Sequence, residues 1–246
     1  MTELRIHHRT TGDDGDGGGV LVVSEVFGPT FQGEGPSSGQ RAMFVRLGRC
    51  NLDCAFCDTA YTWDWTRYDP DAELRRRSVD DVLAELDRIG APLLVITGGE
   101  PMLQQRHLVP LVRGARIRGW RVEVETNGTI APRDPLPALV DQWNVSPKLA
   151  GSGVDLARRW QPDALRALAG TGRAIAKFVV RSPSELDEAA AVAEAGHLTE
   201  VWVMPEATDA RTLVARLALL GPDVLARGWH LSSRLQVLVW GNERGH

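Results

Sequence analysis

Leu93-Leu94-Val95-Ile96-Thr97-Gly98-Gly99-Glu100-Pro101 is a short apolar strand that runs directly into a glycine pair. Helical patterning takes over at about Met102 and holds to Arg118, with Gly119 as the stop. The same unit recurs downstream. Arg121 to Glu125 is a strand ending in Thr126-Asn127-Gly128, and Trp143 to Val145 is a strand before Ser146-Pro147-Lys148. Ala174 to Val180 is a strand, after which Ser182-Pro183-Ser184-Glu185 opens an Ala-rich helix to about Ala195. Val201 to Met204 is a strand followed by helical patterning from Asp209 to Leu220, and Leu235 to Trp240 closes the chain as a strand. Upstream, Ser78 caps a helix through about Ile89, with Asp80 and Asp81 as favourable charge at its start and Gly90 as its end. Before it, Val20 to Val26 and Ala42 to Leu47 read as strands separated by the turn Gln32-Gly33-Glu34-Gly35. Repeated β-α alternation implies an α/β fold on a parallel sheet, curled into a barrel or left open.

In parallel barrels the chemistry gathers at the C-terminal ends of the strands. Every marked motif here follows a strand, so one site at one rim is expected. The most specific of these motifs follows Leu47. The chain has three cysteines, all within Cys50-Asn51-Leu52-Asp53-Cys54-Ala55-Phe56-Cys57. Spaced C-x3-C-x2-C, three thiolates on one short loop hold three corners of an iron–sulfur cube and leave the fourth iron open for chemistry. The alternative is zinc, but a structural zinc site wants four ligands, and the nearest downstream histidine, His107, lies fifty residues on without a partner. An odd cysteine count also excludes a complete disulfide framework.

Composition narrows the class. A chain of 246 residues can bury one sizeable core, and its 43% hydrophobic and 24% charged residues are ordinary globular values. A net charge of −4 gives no reason to expect nucleic acid or an anionic membrane as partner, and no apolar run approaches the roughly 20 residues of a membrane helix. Clustered thiols without an apolar leader point to the cytoplasm. Residues 1–19 end in a glycine- and aspartate-rich run that cannot bury itself, so a flexible tail is expected there and a single domain over 20–246. Of 28 basic residues only Lys148 and Lys177 are lysine, a compact charge that arginine cannot mimic at a tight site. Lys148 follows Ser146-Pro147, whereas Lys177 lies inside an apolar strand. Trp63 and Trp65 read as packing or dimer surface, and His107 as a structural histidine.

The cysteine triplet resembles the signature of radical S-adenosylmethionine (SAM) enzymes, and Gly98-Gly99-Glu100-Pro101 resembles their GGEP motif. A narrower resemblance is carried by Phe31-Gln32-Gly33-Glu34-Gly35, Phe44-Val45-Arg46-Leu47, Cys54-x2-Cys57-Asp58-Thr59-x-Tyr61 and the closing Arg234-Leu235-Gln236-Val237-Leu238-Val239-Trp240-Gly241-Asn242-Glu243-Arg244-Gly245-His246. Together these resemble the family of 7-carboxy-7-deazaguanine synthases, from about Val23 onward. The resemblance implies an incomplete parallel (βα)6-type barrel, some of its helices reduced. It also implies ring contraction of 6-carboxy-5,6,7,8-tetrahydropterin with loss of ammonia, on the way to queuosine-type 7-deazapurines.

The remaining expectations come from the resemblance. Cys50, Cys54 and Cys57 would hold a [4Fe–4S] cluster. Phe56, Cys57, Asp58, Gly98, Gly99, Glu100, Ser146, Pro147 and Lys148 would bind SAM, the glycines by letting backbone approach the ligand and Glu100 by capping the turn. Thr59 would ligate a magnesium ion, which favours hard oxygen donors; the alternative is a capping threonine. Phe31, Gln32, Gly33, Glu34, Arg46 and Thr97 would read the pterin, with Arg46 paired to its carboxylate as a two-donor fork. His246 would approach the substrate, or be an ordinary surface residue. A homodimer and an electron donor of flavodoxin or ferredoxin type are also implied. Two other classes stay open: a glycyl-radical activating enzyme, and a non-catalytic iron–sulfur or zinc module.

Overall fold

A computed structural model of the chain describes residues 19–241 and 243–246. The tail expected over 1–19 therefore lies outside the described residues, Gly19 excepted. The strands are β1 (Val20–Phe31), β2 (Arg41–Leu47), β3 (Arg75–Ser78), β4 (Leu93–Gly98), β5 (Arg121–Thr126), β6 (Gln142–Val145), β7 (Ala174–Val180), β8 (Val201–Pro205) and β9 (His230–Leu231). They form one sheet in the order β3-β1-β2-β4-β5-β6-β7-β8-β9. Every pair from β2 to β9 is parallel, and β1 is antiparallel to both β2 and β3. Among the described residues the edge strands β3 and β9 do not pair with each other, so the barrel is left open, as the sequence allowed.

Side chains alternate across a strand, and the alternation sorts core from site. One face of the sheet carries Met43, Val45, Leu94, Ile96, Val122, Val124, Trp143, Val145, Phe178 and Val203 into the main core under the helices. The other face starts apolar, with Phe27, Ala42, Phe44, Leu93 and Val95 in a second cluster near the strand starts. Toward the strand ends the same face turns polar, with Arg46, Thr97, Glu125 and Lys177. The apolar cluster is thus the floor of a cavity whose polar rim lies at the C-terminal ends.

Helices Val79–Ile89, Gln105–Ile117, Leu186–Ala195 and Ala210–Ala226 cover the outer face. Ser78 caps the first by accepting from the Asp81 amide, and Gly90 ends it at φ 67°, as expected. The β5–β6 crossing keeps only the four-residue Leu136–Leu139, so a reduced helix is present. Several boundaries differ from expectation: β1 runs on to Phe31 where a strand to Val26 was expected, and the helix expected to end at Leu220 continues to Ala226. The turn after Pro101 is 3-10 over Pro101–Gln104, with the α-helix starting at Gln105 rather than Met102.

The larger correction is Leu235–Trp240, which is a helix and not a closing strand. A short apolar run fits either period. Here Val237 buries against Ala207 and Leu213, and the Leu235 amide donates to the Gly33 carbonyl at 2.9 Å. The segment therefore docks on the loop after β1 instead of extending the sheet. Among the described residues no helix is long and apolar enough to cross a membrane.

Candidate active site

The cysteine loop leaves the end of β2 and is gripped at once by the end of β4. The Gly99 amide donates to the Leu47 carbonyl at 3.0 Å, and the Glu100 amide to the Arg49 carbonyl at 2.8 Å. A Cβ on Gly98 would stand 2.2 Å from the Leu47 carbonyl oxygen, and one on Gly99 2.1 Å from that of Arg49. The glycine pair thus makes room first for the cysteine loop, where the sequence reading gave that room to a ligand. Gly98 and Gly99 still line the cavity. Glu100 does not line it, being fully buried beneath. Its carboxylate accepts from the Met102 amide at 2.9 Å, the Thr126 hydroxyl at 2.8 Å and the Asn127 amide at 2.7 Å. It caps the turn, as expected, and pins β4 to β5. Burial raises its carboxyl above the ordinary range, against the pull of these donors.

Cys50, Cys54 and Cys57 are free, half-buried and line one cavity. Among the described residues no three His, Cys, Asp or Glu side chains converge on a single ion, so the thiols are not arranged about one zinc. Burial pushes the Cys50 thiol up to about 12 and raises that of Cys54. Such sulfurs become thiolates when a bound metal compensates them. The Leu52 amide donates to Cys50 Sγ at 3.4 Å and the Trp63 indole to Cys57 Sγ at 3.3 Å. Thr59 occupies the N-cap position of the Ala60–Thr62 turn, as the alternative reading had it, but its hydroxyl makes no capping bond and lies 3.7 Å from Cys57 Sγ. The loop is braced by Asn127 on Asn51 at 2.9 Å and by Arg158 on Asp53 at 2.7 Å.

The cavity measures about 260 Å³. On one side Lys148 Nζ donates to Ser146 Oγ at 2.9 Å, and the Arg181 guanidinium lies over the Phe56 ring at 5.7 Å. Pro147 does not line the cavity and serves as spacer between those two residues.

The facing wall is a buried charge network. Lys177 Nζ donates to Glu34 at 2.6 Å and to Glu125 at 3.0 Å. Gln32 and Thr97 also donate to Glu125, each at 3.2 Å. Gln236 donates to Glu34 at 2.8 Å, and Arg234 pairs with both Glu34 and Asp58. Burial alone would raise the Glu34 carboxyl; the Lys177 and Arg234 charges overcome it and hold the group at about 2. Burial would lower the Lys177 ammonium, but its two carboxylates raise it instead. Three carboxylates share two cations here, so the wall favours a ligand edge rich in N–H donors. Gly33 makes room for a side chain: a Cβ there would overlap Gln236 Oε1 at 1.7 Å, so Gln236 would have to leave its present position.

Arg46 is not a free fork. Its Nε is spent on Glu25 at 2.7 Å, which also accepts from Tyr61 at 2.9 Å and Arg244 at 2.9 Å. Phe31 stacks on Trp240, and Trp240 on His246, so the terminal histidine does line the cavity. Sequence reasoning gave no site role to Glu25 or Glu125, nor to Arg234, Gln236 and Arg244, although the last three lie in the closing motif that carries the resemblance. The reading of Leu235–Trp240 as a strand hid Gln236, and the scarcity of lysine was the one signal that flagged Lys177.

A parallel β-α sheet with three thiols, a glycine pair and one rim cavity defines a radical SAM protein, and residues 45–148 match the model of the Radical SAM superfamily. The chain is 40% identical to 7-carboxy-7-deazaguanine synthase of Hyperthermus butylicus, covering 89% of this chain and 93% of that one. It is 32% identical to the enzyme of that name from Rhodopirellula baltica, over 96% and 93%. The crystal structure of QueE from Escherichia coli superposes with a TM-score of 0.66 at 26% identity, over 88% and 94%. The chain belongs to the 7-carboxy-7-deazaguanine synthase family.

Proposed function

We propose that this cavity carries out the family's ring contraction, converting 6-carboxy-5,6,7,8-tetrahydropterin to 7-carboxy-7-deazaguanine with loss of ammonia, in queuosine-type 7-deazapurine biosynthesis. One observation carries the reading: a single cavity joins the three thiols to the Lys177, Glu34 and Glu125 wall. The donor set fits the cofactors. Cys50, Cys54 and Cys57 hold a [4Fe–4S] cluster, and Phe56, Asp58, Gly98, Gly99, Ser146 and Lys148 hold SAM beside it, with Glu100 and Pro147 shaping the turns that carry them. When bound, these groups supply a hydrogen-abstracting 5′-deoxyadenosyl radical.

The residues of the chain orient and shield the substrate. Glu34, Glu125 and Gln32 accept from or bridge to the amino-pyrimidinone edge of the pterin, Thr97 supports Glu125, and Gly33 lets Gln236 close on Glu34. The terminal nitrogens of Arg46 face the substrate carboxylate, their orientation fixed by Glu25. Phe31, Trp240 and His246 stack at the mouth and keep water out. The hydroxyl of Thr59 serves magnesium. Residues 20–246 act as one domain in a cytoplasmic homodimer fed by a flavodoxin- or ferredoxin-type donor.

The test is anaerobic reconstitution with iron, sulfide, reductant, SAM and the carboxy-tetrahydropterin, with and without magnesium. The deazapurine is expected, faster with magnesium. Cofactor cleavage without deazapurine would refute the substrate, and a rate indifferent to magnesium would refute the role of Thr59.

A further inference from the structure

Trp63 was expected to be packing or dimer surface, yet its indole N–H points at a thiol. Nε1 lies 3.3 Å from Cys57 Sγ. The ring is half-buried and lines the cavity. An indole N–H can only donate, and burial makes an unpaired donor costly, so the sulfur is its partner and not a bystander. The backbone fixes the approach. The Trp63 amide donates to the Ala60 carbonyl at 3.0 Å, and the Asp64 amide to the same oxygen at 2.8 Å. These bonds close the Ala60–Thr62 turn beneath the ring. The sulfurs are not equivalent in this respect. Among the described residues Cys50 takes only a backbone amide, from Leu52 at 3.4 Å, whereas Cys57 accepts from the Trp63 indole and has the Thr59 hydroxyl 3.7 Å away.

We propose that Trp63 is a positioning residue that tunes the cluster through the Cys57 sulfur. The inference rests on the reading of the three thiols as cluster ligands. A hydrogen bond to a ligand sulfur withdraws charge from it and stabilises the more negative, one-electron-reduced cluster, which raises the reduction potential. Trp63 thereby brings the cluster within reach of a protein electron donor, independently of SAM and substrate.

The test is a redox titration of the reconstituted enzyme without SAM or substrate, with dithionite as the electron source and the reduced cluster read by paramagnetic resonance. Trp63→Phe keeps the aromatic packing and removes the donor. At a fixed potential its ratio of reduced to oxidised cluster should fall about tenfold, equal to a shift of about 59 mV for one electron. A ratio within about twofold of wild type, on the scale where a hydrogen bond is worth at least this much, overturns the proposal. A second measurement needs no variant. Wild-type enzyme grown with 15N-indole tryptophan should show a hyperfine coupling between the reduced cluster and one indole nitrogen, and absence of that coupling also overturns it. A wild-type preparation with no brown chromophore would instead remove the ligand assignment, and this inference with it.

Discussion

At the scale of single residues, the site is decided by which charges are already paired. Arg46 uses Nε on Glu25 and keeps its terminal nitrogens for the cavity. Lysine keeps the charge but cannot serve both. Arg46→Lys should therefore raise the Michaelis constant for the carboxy-pterin by the equivalent of about 1.5–3 kcal/mol, the scale of a charged hydrogen bond. Steady-state kinetics check this, and an unchanged constant would move the carboxylate contact to another residue. Glu34 makes a pH prediction. Its folded value of about 2 lies below the ordinary 4.5, so its stabilisation is complete above 4.5 and is lost as pH falls toward 2. The linked contribution at neutral pH is on the order of 3 kcal/mol. Urea midpoints measured down the acid limb should fall steeply for wild type and less steeply for Glu34→Gln. Parallel limbs would mean that the Lys177 and Arg234 contacts are absent in solution.

At the scale of elements, the end of β4 acts as a socket for the cysteine loop. The socket depends on missing side chains as much as on hydrogen bonds. Gly99→Ala would set a Cβ 2.1 Å from the Arg49 carbonyl oxygen, which is backbone and cannot swing away. The loop must shift, with loss of the Glu100–Arg49 bond. A cost of about 1–3 kcal/mol is expected for such overpacking, together with reduced iron incorporation. Thermal unfolding and iron per chain report the two effects. Loss of iron without loss of stability would assign Gly99 to the ligand alone. Glu100 and the glycine pair were legible in the sequence because a turn after a strand is a local event. Their shared partner, the Cys50 loop, was not, since it lies some fifty residues upstream.

For the whole molecule, the open barrel is bridged from inside. Lys177 on β7 reaches Glu125 on β5 and Glu34 in the loop after β1. The C-terminal helix adds Gln236 on Glu34, and Arg234 at its N-cap joins it there. Removing the lysine, which is itself buried, leaves two partly buried carboxylates facing each other. Lys177→Met should cost about 3–5 kcal/mol, the usual penalty of breaking a buried pair from one side. Urea unfolding measures it. A loss within the range of an ordinary surface substitution would show that the network is wet and that the open edge is held by apolar packing alone.

The sequence by itself determined what nearest neighbours and period decide: the β-α alternation, the helix caps at Ser78 and Gly90, the cysteine spacing and the rim on which the motifs fall. Its resemblance to a family added the chemistry. Only the tertiary structure decided who pairs with whom across the cavity. Glu34 meets Lys177, Arg234 and Gln236 from 143, 200 and 202 positions away, and Asp58 meets Arg234 from 176. No local pattern encodes such partners, because strand order and the docking of the last helix bring them together. Leu235–Trp240 shows the reason most directly. Its apolar run fits a strand as well as a helix, and what settles it is the Gly33 carbonyl and the Ala207–Leu213 pocket that the rest of the fold holds out to it.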